Sequence, residues 1–120
     1  MGDAAARVEV LSGLVLFART SRDTLEQVAG LIEEVQVPAG TDLVTEGDVA
    51  DALWVLVDGE VSVTAGDSEL RTLSAPAHFG EVGTLTGMAR LATVSTTAPS
   101  TLWRIPSRDF LEVIGPASAE

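Results

Sequence analysis

The sequence predicts a mainly β fold with flanking helices, on three observations. Between residues 35 and 105 apolar residues alternate with polar ones and are punctuated by Gly, Pro and Asp turns, the pattern of short strands. Helical spacing is confined to the two ends of the chain. The length of 120 residues with 46% apolar side chains suits one domain with a substantial core, and short strands at this regular spacing argue a sandwich or barrel.

Taken in order, the helical N-terminal segment spans about residues 6–35. Val8, Leu11, Leu14, Val15 and Phe17 carry its first part, which Ser12-Gly13 is expected to interrupt. Thr20 or Ser21 can cap a second helix, with Leu25, Val28, Ala29 and Ile32 on one face. From Val35 and Val37 the period changes to two, and the Pro38-Ala39-Gly40 turn leads to Leu43-Val44. Leu53–Val57 and Glu60–Thr64, joined by Asp58-Gly59, read as a hairpin, because Asp-Gly accepts the positive φ angles of a two-residue turn. A turn at Gly66-Asp67 precedes Leu70–Leu73, and Ala92–Thr97 and Leu102–Ile105 complete a barrel over about residues 36–105, some eight strands in all. Ser107 can cap a last helix through Phe110, Leu111 and Ile114, and Gly115-Pro116 is expected to stop it near residue 114.

Composition excludes several functions. The net charge of −11, with seven arginines and no lysine, would repel a nucleic acid, so no direct nucleic-acid contact is expected. No cysteine and a single histidine, His78, leave no disulfide, no thiolate chemistry and no multi-histidine metal centre. A cupin-type barrel enzyme, which needs several histidines, is excluded on the same count. His78 reads as a turn residue without chemistry, and Trp54 and Trp103 as core or rim residues. The carboxylates at Glu33-Glu34 and from Glu46 to Asp51 lack calcium-loop spacing and read as solvated. The longest apolar run, Leu11–Phe17, falls short of the roughly 20 residues that cross a bilayer. No export signal begins the sequence, so a cytoplasmic location without membrane insertion is expected.

One candidate site stands out. Phe79-Gly80-Glu81-Val82-Gly83 combines a glycine that lets backbone approach a ligand, an acidic acceptor and a turn of exposed amides. Arg90, nine residues beyond Glu81, supplies a guanidinium with paired N–H donors. Together they suit a small cyclic phosphate carrying a sugar hydroxyl, with Glu81 and Arg90 facing each other across a concavity.

Pro38-x-Gly40, Glu46-Gly47-Asp48, the stretch from Leu53 to Val63 with Gly59, Phe79-Gly80-Glu81 and Arg90 occur in the order and spacing of the cyclic nucleotide-binding domain family, which this chain resembles over nearly its whole length. The resemblance implies a double-stranded β-helix, jelly-roll-like, and a regulatory sensor without cofactor or catalytic residues. It further implies that Gly80 and Glu81 meet the ribose and that backbone around Val82, Gly83 and Ala92 meets the phosphate. Arg90 would be the phosphate's ion-pair partner, and Val63 and Leu73 would wall the purine. Family members commonly place Thr, Ser or Ala directly after the arginine. Leu91 instead brings bulk that would crowd the ligand and no hydroxyl for a guanine edge, which favours cyclic AMP over cyclic GMP. Members also continue into a lid helix, whereas only Ala117–Glu120 follow Gly115-Pro116. An open pocket, weaker binding and an effector domain in a larger parent protein are therefore expected. The segment from Gly83 to Arg90 would order on binding and shift the flanking helices. The alternative is the same fold without ligand, acting as a protein-docking or autoinhibitory domain.

Overall fold

The structure, a computed structural model, describes residues 2–119, with side chains over 4–114. Helix α1 (Gly2–Ser12) begins earlier than the apolar spacing predicts, because Ala4–Ala6 favour helix without contributing a stripe. It ends at Ser12, whose hydroxyl donates to the Glu9 carbonyl at 2.8 Å, and one 3₁₀ turn follows at Val15–Phe17. In α2 (Arg22–Ala29) the expected cap forms: the Ser21 hydroxyl accepts from the Thr24 amide at 3.2 Å.

Eight strands follow: β1 (Glu33–Val37), β2 (Asp42–Val44), β3 (Ala52–Asp58), β4 (Glu60–Ala65), β5 (Ser68–Ser74), β6 (Ala77–Phe79), β7 (Thr93–Thr96) and β8 (Ser100–Pro106). They form two antiparallel four-stranded sheets, ordered β1-β8-β3-β6 and β2-β7-β4-β5, packed face to face. This is the mainly β, jelly-roll-like architecture that the sequence predicts. The carboxylates of Glu33 and Glu34 are strand residues in contact with β8, accepting from Arg104 and from the Trp103 indole, each at 3.0 Å.

The predicted hairpin across Asp58-Gly59 does not form. β3 pairs with β6 and β8, whereas β4 pairs with β5 and β7, so Asp58-Gly59 is a corner between sheets. Local turn chemistry is the same in both cases; burial distinguishes them. Ala52–Leu56 are buried without alternation, which requires cover on both faces, while β4 alternates as a strand with one buried face does. Gly59 adopts φ +109°, and a Cβ there would lie 2.8 Å from the Ser100 Cα. The two-residue hairpin lies one turn later, at Gly66-Asp67 between β4 and β5.

β3 therefore feeds two cores. Leu53 and Val55 join Trp103 and Ile105 against Val8, Leu11, Phe17, Val28 and Phe110 of the helices. Ala52, Trp54 and Leu56 face the interior between the sheets, with Val61, Val63, Val94 and Leu102. Both tryptophans are buried; Trp54 stacks on Phe79 with ring centroids 6.3 Å apart. The last helix, α4 (Ser107–Ala119), continues through Gly115-Pro116 instead of stopping at 114. A proline removes one backbone donor and bends a helix without obliging it to end, and the alanines beyond it favour helix.

Candidate functional site

A cavity of about 260 Å³ opens where the ends of β4, β5 and β6 meet the segment from Gly80 to Ala92. Its size is close to the lower end of small-molecule sites, about 300 Å³. Of the sequence-predicted site residues, Val63, Gly80, Glu81, Val82, Gly83, Arg90, Leu91 and Ala92 line it. Leu73 does not. A bulge between Val63 and Thr64 shifts the pairing of β4 with β5, so that Arg71 stands opposite Val63 and Leu73 opposite Val61, deeper in the core. The wall assigned to Leu73 is made by Leu70 and Arg71, with Val44, Phe79 and Val94 on the remaining sides.

Gly80 shapes the entrance to helix α3 (Glu81–Thr86), the turn of amides expected after Glu81 extended as far as Thr86. It adopts φ +86°, and a Cβ would lie 2.9 Å from Arg90 Nη1 and 3.3 Å from the Ala52 carbonyl. Only glycine satisfies both the conformation and the space.

Arg90 is 6% exposed and is held from behind by main chain. Nη1 donates to the Gly80 carbonyl at 2.9 Å and Nη2 to the Ala52 carbonyl at 2.5 Å, and Asp51 lies 3.8 Å from Nη2. Its backbone is clamped as well: the Arg90 amide donates to the Asp48 carbonyl, and the Gly47 amide to the Arg90 carbonyl, both at 2.8 Å. Burial pulls the guanidinium below its ordinary range and Asp51 works against that. Arginine remains charged near neutrality regardless.

Glu81 and Arg90 both line the cavity, and each has its own partner in the protein. Glu81 Oε1 lies 3.3 Å from His78 Nδ1, and His78 belongs to strand β6, not to a turn. That hydrogen bond is the main reason the Glu81 carboxyl lies below its usual range; burial opposes it, while its own backbone and the charges of His78 and Arg71 assist. Leu91 is 65% exposed at the rim and does not fill the cavity. Arg71 and His78 are the residues sequence reasoning missed. The Gly66-Asp67 turn alone would have set Leu70 against Val63; the bulge that substitutes Arg71 carries no local signal.

Proteins of known sequence and structure resemble this chain. The profile of the cyclic nucleotide-binding domain family matches residues 34–115. The type II regulatory subunit of a cAMP-dependent protein kinase from Drosophila melanogaster is 27% identical over 92% of this chain and 29% of its own length. A cGMP-dependent protein kinase from Eimeria tenella is 25% identical over 90% of this chain and 11% of its own. The solved structure of cAMP-bound PfPKA-R superposes with a TM-score of 0.87 at 25% identity, covering 98% of this chain and 43% of that one. The chain thus spans less than a third of the two kinase-related sequences.

Proposed function

From the premise that this chain belongs to the cyclic nucleotide-binding domain family, we propose that it is a cytoplasmic regulatory sensor of a cyclic nucleotide, cyclic AMP in preference to cyclic GMP. One observation carries the reading. On a chain of net charge −11, two of seven arginines and one glutamate converge on a cavity otherwise lined by apolar and small residues. Such a lining suits a ligand with one anionic group, one hydroxyl to donate and a flat apolar body.

In this reading Gly80 and Glu81 meet the ribose, Glu81 accepting from its hydroxyl. The phosphate lies against Arg90 and the backbone at Val82, Gly83 and Ala92, and Val63 flanks the purine. Two of the guanidinium's five N–H groups already serve carbonyls, which fixes its plane and leaves donors for the phosphate. Leu91 brings no hydroxyl to a guanine edge, hence the preference for cyclic AMP. The module binds rather than catalyses, and it transmits occupancy to an effector domain of a larger protein.

Calorimetry with both nucleotides tests this. Wild type should release heat with cyclic AMP, and Glu81→Gln and Arg90→Lys should each weaken binding by about tenfold or more, the worth of a hydrogen bond to a charged group. A second reading, a ligand-free docking domain, is favoured by the exposed Leu70, Val82, Leu85, Met88 and Leu91. Silence from wild type with both nucleotides, in a protein that folds, selects it.

A further inference from the structure

We infer that His78 is a positioning residue for Glu81, holding its carboxylate where the ribose hydroxyl of a cyclic nucleotide would meet it. The inference rests on the nucleotide-binding reading of the cavity.

The placement is specific. Within β6, Phe79 pairs with Trp54 and faces the core between the sheets, whereas His78 pairs with Val55, on the face that the helices cover. His78 therefore does not line the cavity; it stands behind Glu81, which does. Both side chains are partly shielded, 19% and 28% exposed, and Nδ1 meets Oε1 at 3.3 Å. The charged groups facing Glu81 from elsewhere are Arg71 on β5 and, across the cavity, Arg90. β3 offers His78 only the apolar Val55.

An imidazole with its proton on Nδ1 donates to the Glu81 carboxylate and so holds it toward the ribose. With Nδ1 bare, two acceptors would face each other and the carboxylate would lose this hold.

The test measures the cyclic AMP dissociation constant for wild type, His78→Asn and His78→Phe. Asparagine places an amide donor near the Nδ1 position, whereas phenylalanine keeps the bulk and removes the donor. His78→Phe should weaken binding about fivefold, the worth of one partly exposed polar pair, and His78→Asn should bind close to wild type. Equal weakening in both variants, or none in His78→Phe, overturns the role of His78 and leaves the sensor reading intact. Silence from wild type overturns the sensor reading and the affinity claim with it. In nucleotide-free protein the Glu81 carboxyl ¹³C resonance should move in His78→Phe and stay near its wild-type position in His78→Asn; an indifferent resonance overturns the pairing directly.

Discussion

Arg90 shows how a charged side chain can be buried for a purpose other than an ion pair. Its nearest partners are two main-chain carbonyls, with Asp51 more distant, so the guanidinium is structural from behind before it meets anything in front. Arg90→Ala should cost about 1–3 kcal/mol in urea or thermal unfolding, because the Ala52 and Gly80 carbonyls lose their donors in a buried place. Glu81 makes the opposite kind of contribution. Its carboxyl lies below the ordinary value of 4.5, so folding favours the ionised form. That stabilisation is present above the unfolded-state value and is lost as pH falls through the folded-state value. The stability difference between wild type and Glu81→Gln should therefore be largest near neutrality and shrink in acid, as followed by unfolding midpoints across pH.

Among the elements, the corner at Asp58-Gly59 decides the topology. Gly59→Ala should destabilise the protein by about 1–3 kcal/mol, measurable as a lowered denaturant midpoint, since the residue must hold a left-handed φ against Ser100. This corner also marks the limit of what the chain discloses about itself. Most strands and turns and the start of α2 were legible because each is written in local periodicity and in residues such as Ser21, Gly59 and Gly66; the start of α1 and the short strand β6 were not. Sheet membership was not, since Asp-Gly serves a hairpin and a corner equally well and only the two-sided burial of Ala52–Leu56 separates them. At the site, the segment Gly80–Gly83 and Arg90 were readable from residue type and interval. Arg71 for Leu73 depended on a bulge, and the partners of Arg90 and Glu81 depended on which carbonyls and which imidazole the tertiary fold delivers.

For the molecule as a whole, charge and shape work against each other. A chain at −11 sets up a field that disfavours approaching anions, and the cavity sets Arg71 and Arg90 against it, with Glu81 as the one carboxylate in its lining. The acidic stretch from Glu46 to Asp51 is exposed, as the sequence reading has it, and supports Arg90 through its backbone, while the Asp51 carboxylate offsets part of the guanidinium charge. Asp48 and Gly47 fasten the Arg90 backbone, and Asp51 lies near both Arg90 and Arg104. Among the described residues no helix is long and apolar enough to cross a membrane.

The partition between the helical compartment and the sandwich interior is a single strand thick. Val55 and its neighbours Trp54 and Leu56 are consecutive links of β3 that press on opposite rooms, with no slack layer between them to absorb a misfit. Anything that swells or empties one room must move the shared wall. The helices that abut it are thereby made mechanical neighbours of the Trp54–Phe79 stack at the cavity's edge, however far apart they are in the chain.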